Sequence, residues 1–450
     1  MSAQGDGGHL RKALGPVMLW GLGVGYVISG EYFGWNLGLP TGGSYGMLIA
    51  TVLVTVMYVS FVFSYTELAC AIPRAGGAFV YCERAFGPLG GALGGLSQLI
   101  EFVFAPPAIA MAIAAYIGQR VSGVPVEGVA IAAYVLFSAL NAWGVKQAVT
   151  FELVVTVLAV AELLLFVGLT LPHFDVQAFA RDPLPHGAFG VFECLPFAIW
   201  FYLAIEGVAN AAEEAHDPQR DVARGFGSAM LTLVVLALLV FFSAVGVAGW
   251  GAIVVDPHTG ESSDAPLPLA LAHVVGRDSA MYSLLLGVGL LGLVASFHGI
   301  LLAAARATFE FGRSGYLPSV VGSVHAQTGT PRVALAVNLG LGVVAILTGR
   351  TGEIITLACF GALMLYILSM AALMRLRRTE PELPRPFRAL GFPYVAMTAL
   401  VIASICLLAM IWTQPGVASV FGVALAVGLA YRQRVARREQ HPCGLDGEGG

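Results

Sequence analysis

Four glutamates, Glu31, Glu101, Glu162 and Glu206, lie well inside long apolar segments, and no lysine or arginine accompanies them at comparable depth. A carboxylate inside a bilayer costs about 2.5–3.5 kcal/mol, so it is kept where it serves a pathway, a proton or a cation. Glu31 closes the stretch Gly21-Leu22-Gly23-Val24-Gly25-Tyr26-Val27-Ile28-Ser29-Gly30-Glu31, whose four glycines each weaken a helix by up to about 1 kcal/mol. Glu206 ends Trp200-Phe201-Tyr202-Leu203-Ala204-Ile205-Glu206-Gly207, again an acid beside a glycine near mid-segment. Unwound backbone at membrane depth is tolerated only where it lines a cavity. The chemistry on offer is therefore the holding of a cation by carboxylates and freed carbonyls. Two plainer readings stand beside it. Gly21-x-x-x-Gly25 could be a helix-packing surface, and Trp200, Phe201 and Tyr202 could be ordinary packing instead of a cation–π cage around an ammonium.

The elements that must position these residues are membrane helices. Of the 450 residues, 58% are hydrophobic and only 11% charged, with a mean hydropathy of +0.82. A soluble domain carries about 25% charge, and a span takes about 20 apolar residues. Twelve spans are predicted, at 14–39, 46–70, 90–118, 126–143, 149–171, 190–212, 226–250, 281–305, 332–348, 353–374, 389–412 and 416–431. The expected class is thus an all-α polytopic membrane protein. The polar first ten residues, and an apolar run too long for a signal core, give no sign of a cleavable leader.

Positive charge orients the spans. With the N-terminus cytoplasmic, 19 lysines and arginines fall inside, and four (Arg120, Arg181, Arg277 and Arg350) fall outside. Both termini are therefore expected in the cytoplasm, with an even number of spans. The basic stretch after Tyr431 is expected to be a disordered tail beside an anionic leaflet. Six cysteines are scattered without metal or redox spacing, so neither a disulfide framework nor a zinc site is expected.

Several stretches resemble the amino acid–polyamine–organocation transporter superfamily. They are Glu67-Leu68-Ala69 through Ile72-Pro73-Arg74-Ala75-Gly76-Gly77 with Tyr81 and Ala85-Phe86-Gly87-Pro88; Ala212-Glu213-Glu214 with Asp217-Pro218-Gln219-Arg220; Gly315-Tyr316-Leu317-Pro318 with Thr330-Pro331; and Arg385-Pro386-Phe387. Within it, Gly25 to Asn36, Pro196 to Asn210 and Val294 to Ile300 are similar to bacterial ethanolamine permeases. The resemblance implies two inverted five-helix repeats with broken first and sixth helices, plus two C-terminal helices. The divisions would be an N-terminus at 1–13, repeats at 14–171 and 190–374, the last two helices at 389–431 and a tail at 432–450.

It also implies a site between the two breaks, with Ser29 and Gly30 on one side and Trp200, Phe201 and Leu203 on the other. Amino acid carriers of this kind hold a substrate carboxylate on the amides of the first break. Here Glu31 follows those amides directly and would repel an anion, so a small amine such as ethanolamine is expected. The coupling ion, H+ or Na+, stays open. Many proton-coupled relatives carry a lysine midway along the fifth helix, whereas here Glu162 is expected at or within one turn of that place.

Glu101 is either an ammonium partner or a protonated residue bonded to a neighbouring helix, and the following Pro106-Pro107 could free carbonyls or kink the helix. Glu162 and His298 are coupling candidates, His298 because an imidazole titrates near neutrality. Glu67, Glu152, Glu193, Glu213, Glu214 and Glu310 lie near span ends, where caps and ion pairs explain them. No metal or cofactor, no nucleic acid and no obligate protein partner is expected; the partners are a small cationic amine and the bilayer of a bacterial inner membrane. An enzyme would need a nucleophile or metal constellation, and neither His-Glu-x-x-His nor Gly-x-Ser-x-Gly occurs. His273 and Asp278 share a His-x4-Asp spacing by chance. A channel fits the paired interruptions less well than a carrier.

Overall fold

The computed structural model describes residues 14–440 except 75, 122, 124, 144–148, 258–259 and 326–328. The described residues form helices and connecting turns with no named strand, as the composition requires. The first predicted span is α1 (Pro16–Val27), a turn at Ile28, α2 (Ser29–Tyr32) and a short 3-10 turn at Trp35–Gly38. Then come α3 (Leu39–Ala71), α4 (Ala78–Gly118), α5 (Val126–Ala142) and α6 (Val149–Thr170). The sixth span is divided among α8 (Gly187–Glu193), α9 (Leu195–Trp200) and α10 (Gly207–Asn210), after the short α7 (Val176–Phe179). The rest comprises α11 (Pro218–Ala248), α12 (Pro266–Val275), α13 (Ala280–Arg313), α14 (Arg332–Ile346), α15 (Thr351–Thr379), α16 (Tyr394–Thr413) and α17 (Pro415–Gln440). Eight of these helices, some with adjoining turns, are long and apolar enough to cross a membrane; α1, α5, α12 and α14 are shorter apolar helices.

Several boundaries differ from the sequence reading. The third predicted span begins at Ala78, because α4 runs on through a kink at Gly87 (φ +73°). The same helix continues past Pro106 and Pro107 to Gly118, so these prolines do not end it. The basic stretch after Tyr431 is not a loose tail at its start. With no breaker before Pro442, α17 continues to Gln440, and residues 441–450 lie outside the described residues.

Two features of the packing fix the centre. α4 and α15 cross in extensive contact, and Gly361 makes the crossing close. A Cβ there would stand 2.6 Å from the Ser97 carbonyl oxygen and 2.7 Å from the Glu101 amide nitrogen. At the end that carries the basic loops, buried Glu67 on α3 receives Arg377 of α15 through a two-pronged pair, Nε at 2.7 Å and Nη2 at 2.6 Å. It also accepts the Ala389 amide at 2.8 Å and lies 3.4 Å from Arg385 Nε. The Arg385-Pro386-Phe387 stretch thus serves to fold its own loop over Glu67, with Phe387 edge-on to Phe63.

At the opposite end, the loop before α12 is tied to two helices. Asn36 Nδ2 donates to the Ser263 carbonyl at 2.7 Å, and the Thr351 hydroxyl lies 2.7 Å from Asp264 Oδ2.

Removing Glu67 leaves Arg377, whose side chain is 22% exposed, and the more enclosed Arg385 without their carboxylate; for a fully buried pair such a loss typically costs about 3–5 kcal/mol, the upper bound here. Glu67→Ala should lower the melting temperature of the purified protein sharply and Glu67→Gln less; an unchanged Glu67→Ala melt would dismiss the pair as a staple. Around Asp264, desolvation pushes the carboxyl from its ordinary 3.8 up to about 6, with Thr351 opposing. Between those values the folded state holds a proton that the unfolded chain has released, so this group's contribution to stability falls as pH rises through the window. Asp264→Asn should therefore melt like the parent near about pH 4 and above it near about pH 7. Parallel melting curves across that range would contradict this.

Candidate functional site

The chain leaves helical geometry at the first break later than its glycines suggest. Gly21, Gly23 and Gly25 are all within α1 and meet Leu153, Val208 and Thr156, respectively. They are a packing surface, the plainer of the two readings, because each lets a neighbouring helix approach without a Cβ between. The departure comes at Phe33, which is extended (φ −161°), and Gly34 (φ +92°). Before it, the Ser296 hydroxyl of α13 bridges the Tyr26 carbonyl at 3.0 Å and Ser29 Oγ at 2.9 Å.

The second break lies between α9 and α10, at 201–206, and its backbone is strained. Ala204 has φ +72°, a left-handed conformation that costs a non-glycine residue about 1 kcal/mol or more. Its amide donates to Glu101 Oε1 at 3.2 Å, so a carboxylate on α4 caps the turn. Glu206 Oε2 accepts the Tyr366 hydroxyl at 3.1 Å. Tyr366 in turn meets the Tyr58 hydroxyl at 3.1 Å, beside the Ile199 carbonyl at 3.3 Å from Tyr58. The Glu101 and Glu206 carboxyls are close neighbours, and one oxygen of each, Glu101 Oε2 and Glu206 Oε1, has no hydrogen-bond partner.

The breaks touch. A Cβ on Gly30 would collide with the Trp200 carbonyl oxygen, so only glycine allows this approach. Around the contact, Trp35 stacks on Phe201 at 5.7 Å and Phe33 meets Trp200 edge-on at 5.4 Å. Trp200 and Phe201 are therefore packed onto the first broken segment, and Leu203 is buried beside them at 4% exposure. Glu31 lies one residue from Gly30, fully buried, with neither carboxylate oxygen partnered.

Of the sequence-derived residues, the fold joins Gly30 to Trp200 and Phe201, sets Ser29 against Ser296, and brings Glu101 near Glu206. It does not pair Glu31 with either of the other two acids. Glu162 is held apart, with its Oε2 2.6 Å from the Tyr32 hydroxyl, and it lines a small pocket with Tyr116, Phe166 and Leu271 of α12. The residues of α6 that meet α1 before its break are Glu152, Leu153 and Thr156, two or three turns earlier. His298 points elsewhere. Two residues along a helix rotate it by about 200°, so while Ser296 faces α1, His298 lies edge-on to Phe137 of α5 at 5.9 Å.

Tyr366, Tyr58 and the Ala204 turn went unread in the sequence, because a tyrosine 160 residues from its acid partner leaves no local trace. Among the described residues, no three His, Cys, Asp or Glu side chains gather as metal ligands do. Neither broken segment, 14–39 or 190–212, contains a lysine or arginine. Three acids without a counter-charge, together with the carbonyls of a non-helical turn, can hold a cation.

A family model described as "Amino acid permease" matches residues 14–429. An uncharacterized transporter of Rhizobium meliloti is 29% identical over 408 residues, covering 88% of this chain and 86% of its own. A methylthioribose transporter of Bacillus subtilis is 26% identical, covering 95% and 94%. A branched-chain amino acid permease of the same organism is 24% identical, covering 90% and 89%.

The strained turn is open to test. Ala204→Gly should raise the melting temperature, relieving about 1 kcal/mol. Glu101→Ala should lower it, leaving a buried amide without an acceptor at a cost of about 1–3 kcal/mol. A destabilising Ala204→Gly would show that the turn is not under strain.

Proposed function

Because this chain is a transporter of the amino acid permease family, and not an enzyme, we propose that it is a secondary carrier importing a small cationic amine such as ethanolamine. One observation carries the reading. Glu31 is buried at the contact of the two breaks with both carboxylate oxygens unpartnered. A buried acid without a partner is costly, and an ammonium arriving from water would supply the missing donors. The Glu101–Glu206 pair supports the same reading, because it has carboxyl oxygens and tyrosine hydroxyls to offer but no cation. A substrate bearing its own carboxylate would meet Glu31 next to the amides of Ser29 and Gly30, and like charges at that distance repel.

The architecture we assign is twelve spans with both termini cytoplasmic, a five-plus-five inverted repeat and two further helices. α12 then lies in an external loop as a lid and not as a span. Alternating access would rock the broken segments about their contact at Gly30. A second reading, an amino acid as substrate, is favoured by the branched-chain amino acid permease among the relatives. In it, the substrate ammonium would still face Glu31.

Uptake of labelled ethanolamine into proteoliposomes decides between them. Under the amine reading, alanine and glutamate compete poorly, and Glu31→Gln or Glu206→Gln reduces uptake by about 10–100-fold, the worth of a charged hydrogen bond. Saturable uptake of alanine that excess ethanolamine leaves untouched would transfer the chain to the second reading.

A further inference from the structure

Two of the sequence motifs lie away from the broken segments, and the fold brings them together. Ala85-Phe86-Gly87-Pro88 forms the bend of α4, where Gly87 has φ +73° and Pro88 has no amide hydrogen to continue the helical ladder. Gly315-Tyr316-Leu317-Pro318 follows the end of α13. Tyr316 is 3% exposed, and its hydroxyl lies 2.7 Å from Glu83 Oε1 and 3.3 Å from the Pro88 carbonyl oxygen. One phenol therefore spans the bend, with an acceptor on each arm.

The ring of Tyr316 is held as well as its hydroxyl. Phe311 of α13 stacks on it at 4.9 Å with an interplanar angle of 11°, and Phe79 of α4 stands edge-on at 5.2 Å. The Arg432 guanidinium of α17 lies over the same ring at 5.0 Å from its centroid. Bare backbone permits both approaches. A Cβ on Gly428 of α17 would stand 2.6 Å from Leu96 Cδ1 of α4, and one on Gly91 of α4 would stand 3.0 Å from the Tyr316 oxygen.

The two arms of α4 have different attachments. Before the bend, Arg84 pairs with Glu380 at 2.6 Å, and Arg375 of α15 lies over Phe86 at 5.4 Å. After the bend, α4 keeps helical geometry from Pro88 to Gly118, so that arm moves as a rod. Glu101 is carried on it about 20 Å along the axis from Pro88, and accepts the Ala204 amide at 3.2 Å. Over that length, a turn of about 5° at the bend would shift Glu101 by about 2 Å, enough to break such a hydrogen bond.

We propose that Tyr316, with Arg432 on its ring, is a positioning residue: by fixing the bend of α4, it sets Glu101 against the Ala204 turn of the second break. Through that one arginine, the last helix of the chain bears on the shape of the site. The mechanical link is independent of what is carried, whereas its consequence for transport rests on the carrier reading.

Hydrogen exchange over residues 201–207, in the full-length protein in lipid nanodiscs, reads the turn directly. Tyr316→Phe keeps the ring and removes the hydroxyl, and should speed exchange there by about threefold to tenfold, the worth of one hydrogen bond. Arg432→Gln should act in the same direction, and Arg432→Lys should restore most of the protection, because an ammonium can also lie over the ring. A role confined to local folding would speed exchange only at 78–95 and 311–322. Parent-like exchange at 201–207 in both Tyr316→Phe and Arg432→Gln overturns the proposal. Because Glu101→Ala removes the cap itself, adding Tyr316→Phe to it should change 201–207 no further. Fully additive effects of the two substitutions equally overturn the positioning role.

In proteoliposomes, Tyr316→Phe should lower the maximal rate of labelled ethanolamine uptake by about threefold to tenfold, with a smaller change in half-saturation. Parent-like uptake by a variant whose turn exchanges faster overturns the consequence for transport. If the parent takes up no ethanolamine while 201–207 still responds to Tyr316→Phe, the amine reading has failed and the positioning role stands.

Discussion

A carboxylate enclosed by apolar helices must find donors, share a proton or wait for a cation, and this constraint organises the centre of the molecule. Glu101 finds a backbone amide, but only because Ala204 is twisted into a left-handed turn that aims its N–H at α4. Glu206 finds a tyrosine for one oxygen and nothing for the other. Glu31 finds nothing. The close crossing of α4 and α15 at Gly361 holds Glu101 and Tyr366 in reach of the same turn. The electrostatics of the site thus rest on a steric feature of two helices that are not themselves broken.

The two breaks are built differently. Hydroxyl groups hold the first, with Ser296 reaching across to Tyr26 and Ser29, and its backbone turns only at Phe33 and Gly34. An acid on another helix holds the second, and its turn carries strain. Hydroxyl contacts exchange readily with water, whereas a charged cap on a strained turn fixes geometry more firmly. A carrier that rocks one segment against a fixed partner would be served by that asymmetry.

The two ends of the bundle are also closed by different chemistry. Away from the basic loops, Asn36, Asp264 and Thr351 tie the loop before α12 to its neighbours by neutral or single-charge hydrogen bonds. At the basic-loop end, Glu67 gathers Arg377 and Arg385 in an ion-pair cluster around its buried carboxylate. The Glu67 cluster is a permanent staple, because its charges satisfy each other.

The sequence by itself determined the helical membrane class, the main apolar helices and the family, because hydropathy and charge asymmetry are properties of local segments. It also located both interrupted regions, since an acid beside glycine within an apolar run is visible without coordinates. It could not say where the backbone departs from helix. The glycines of α1 looked like breakers and proved to be contact surfaces, and the decision depends on which helix lies against them. Nor could it sort the glutamates. Glu31, Glu101, Glu162 and Glu206 look equivalent along the chain, yet Glu101 and Glu206 meet across 105 positions, Glu162 joins Tyr32 and Glu31 is left alone. Partnership is fixed by distances between segments remote in sequence, and only the tertiary structure contains those.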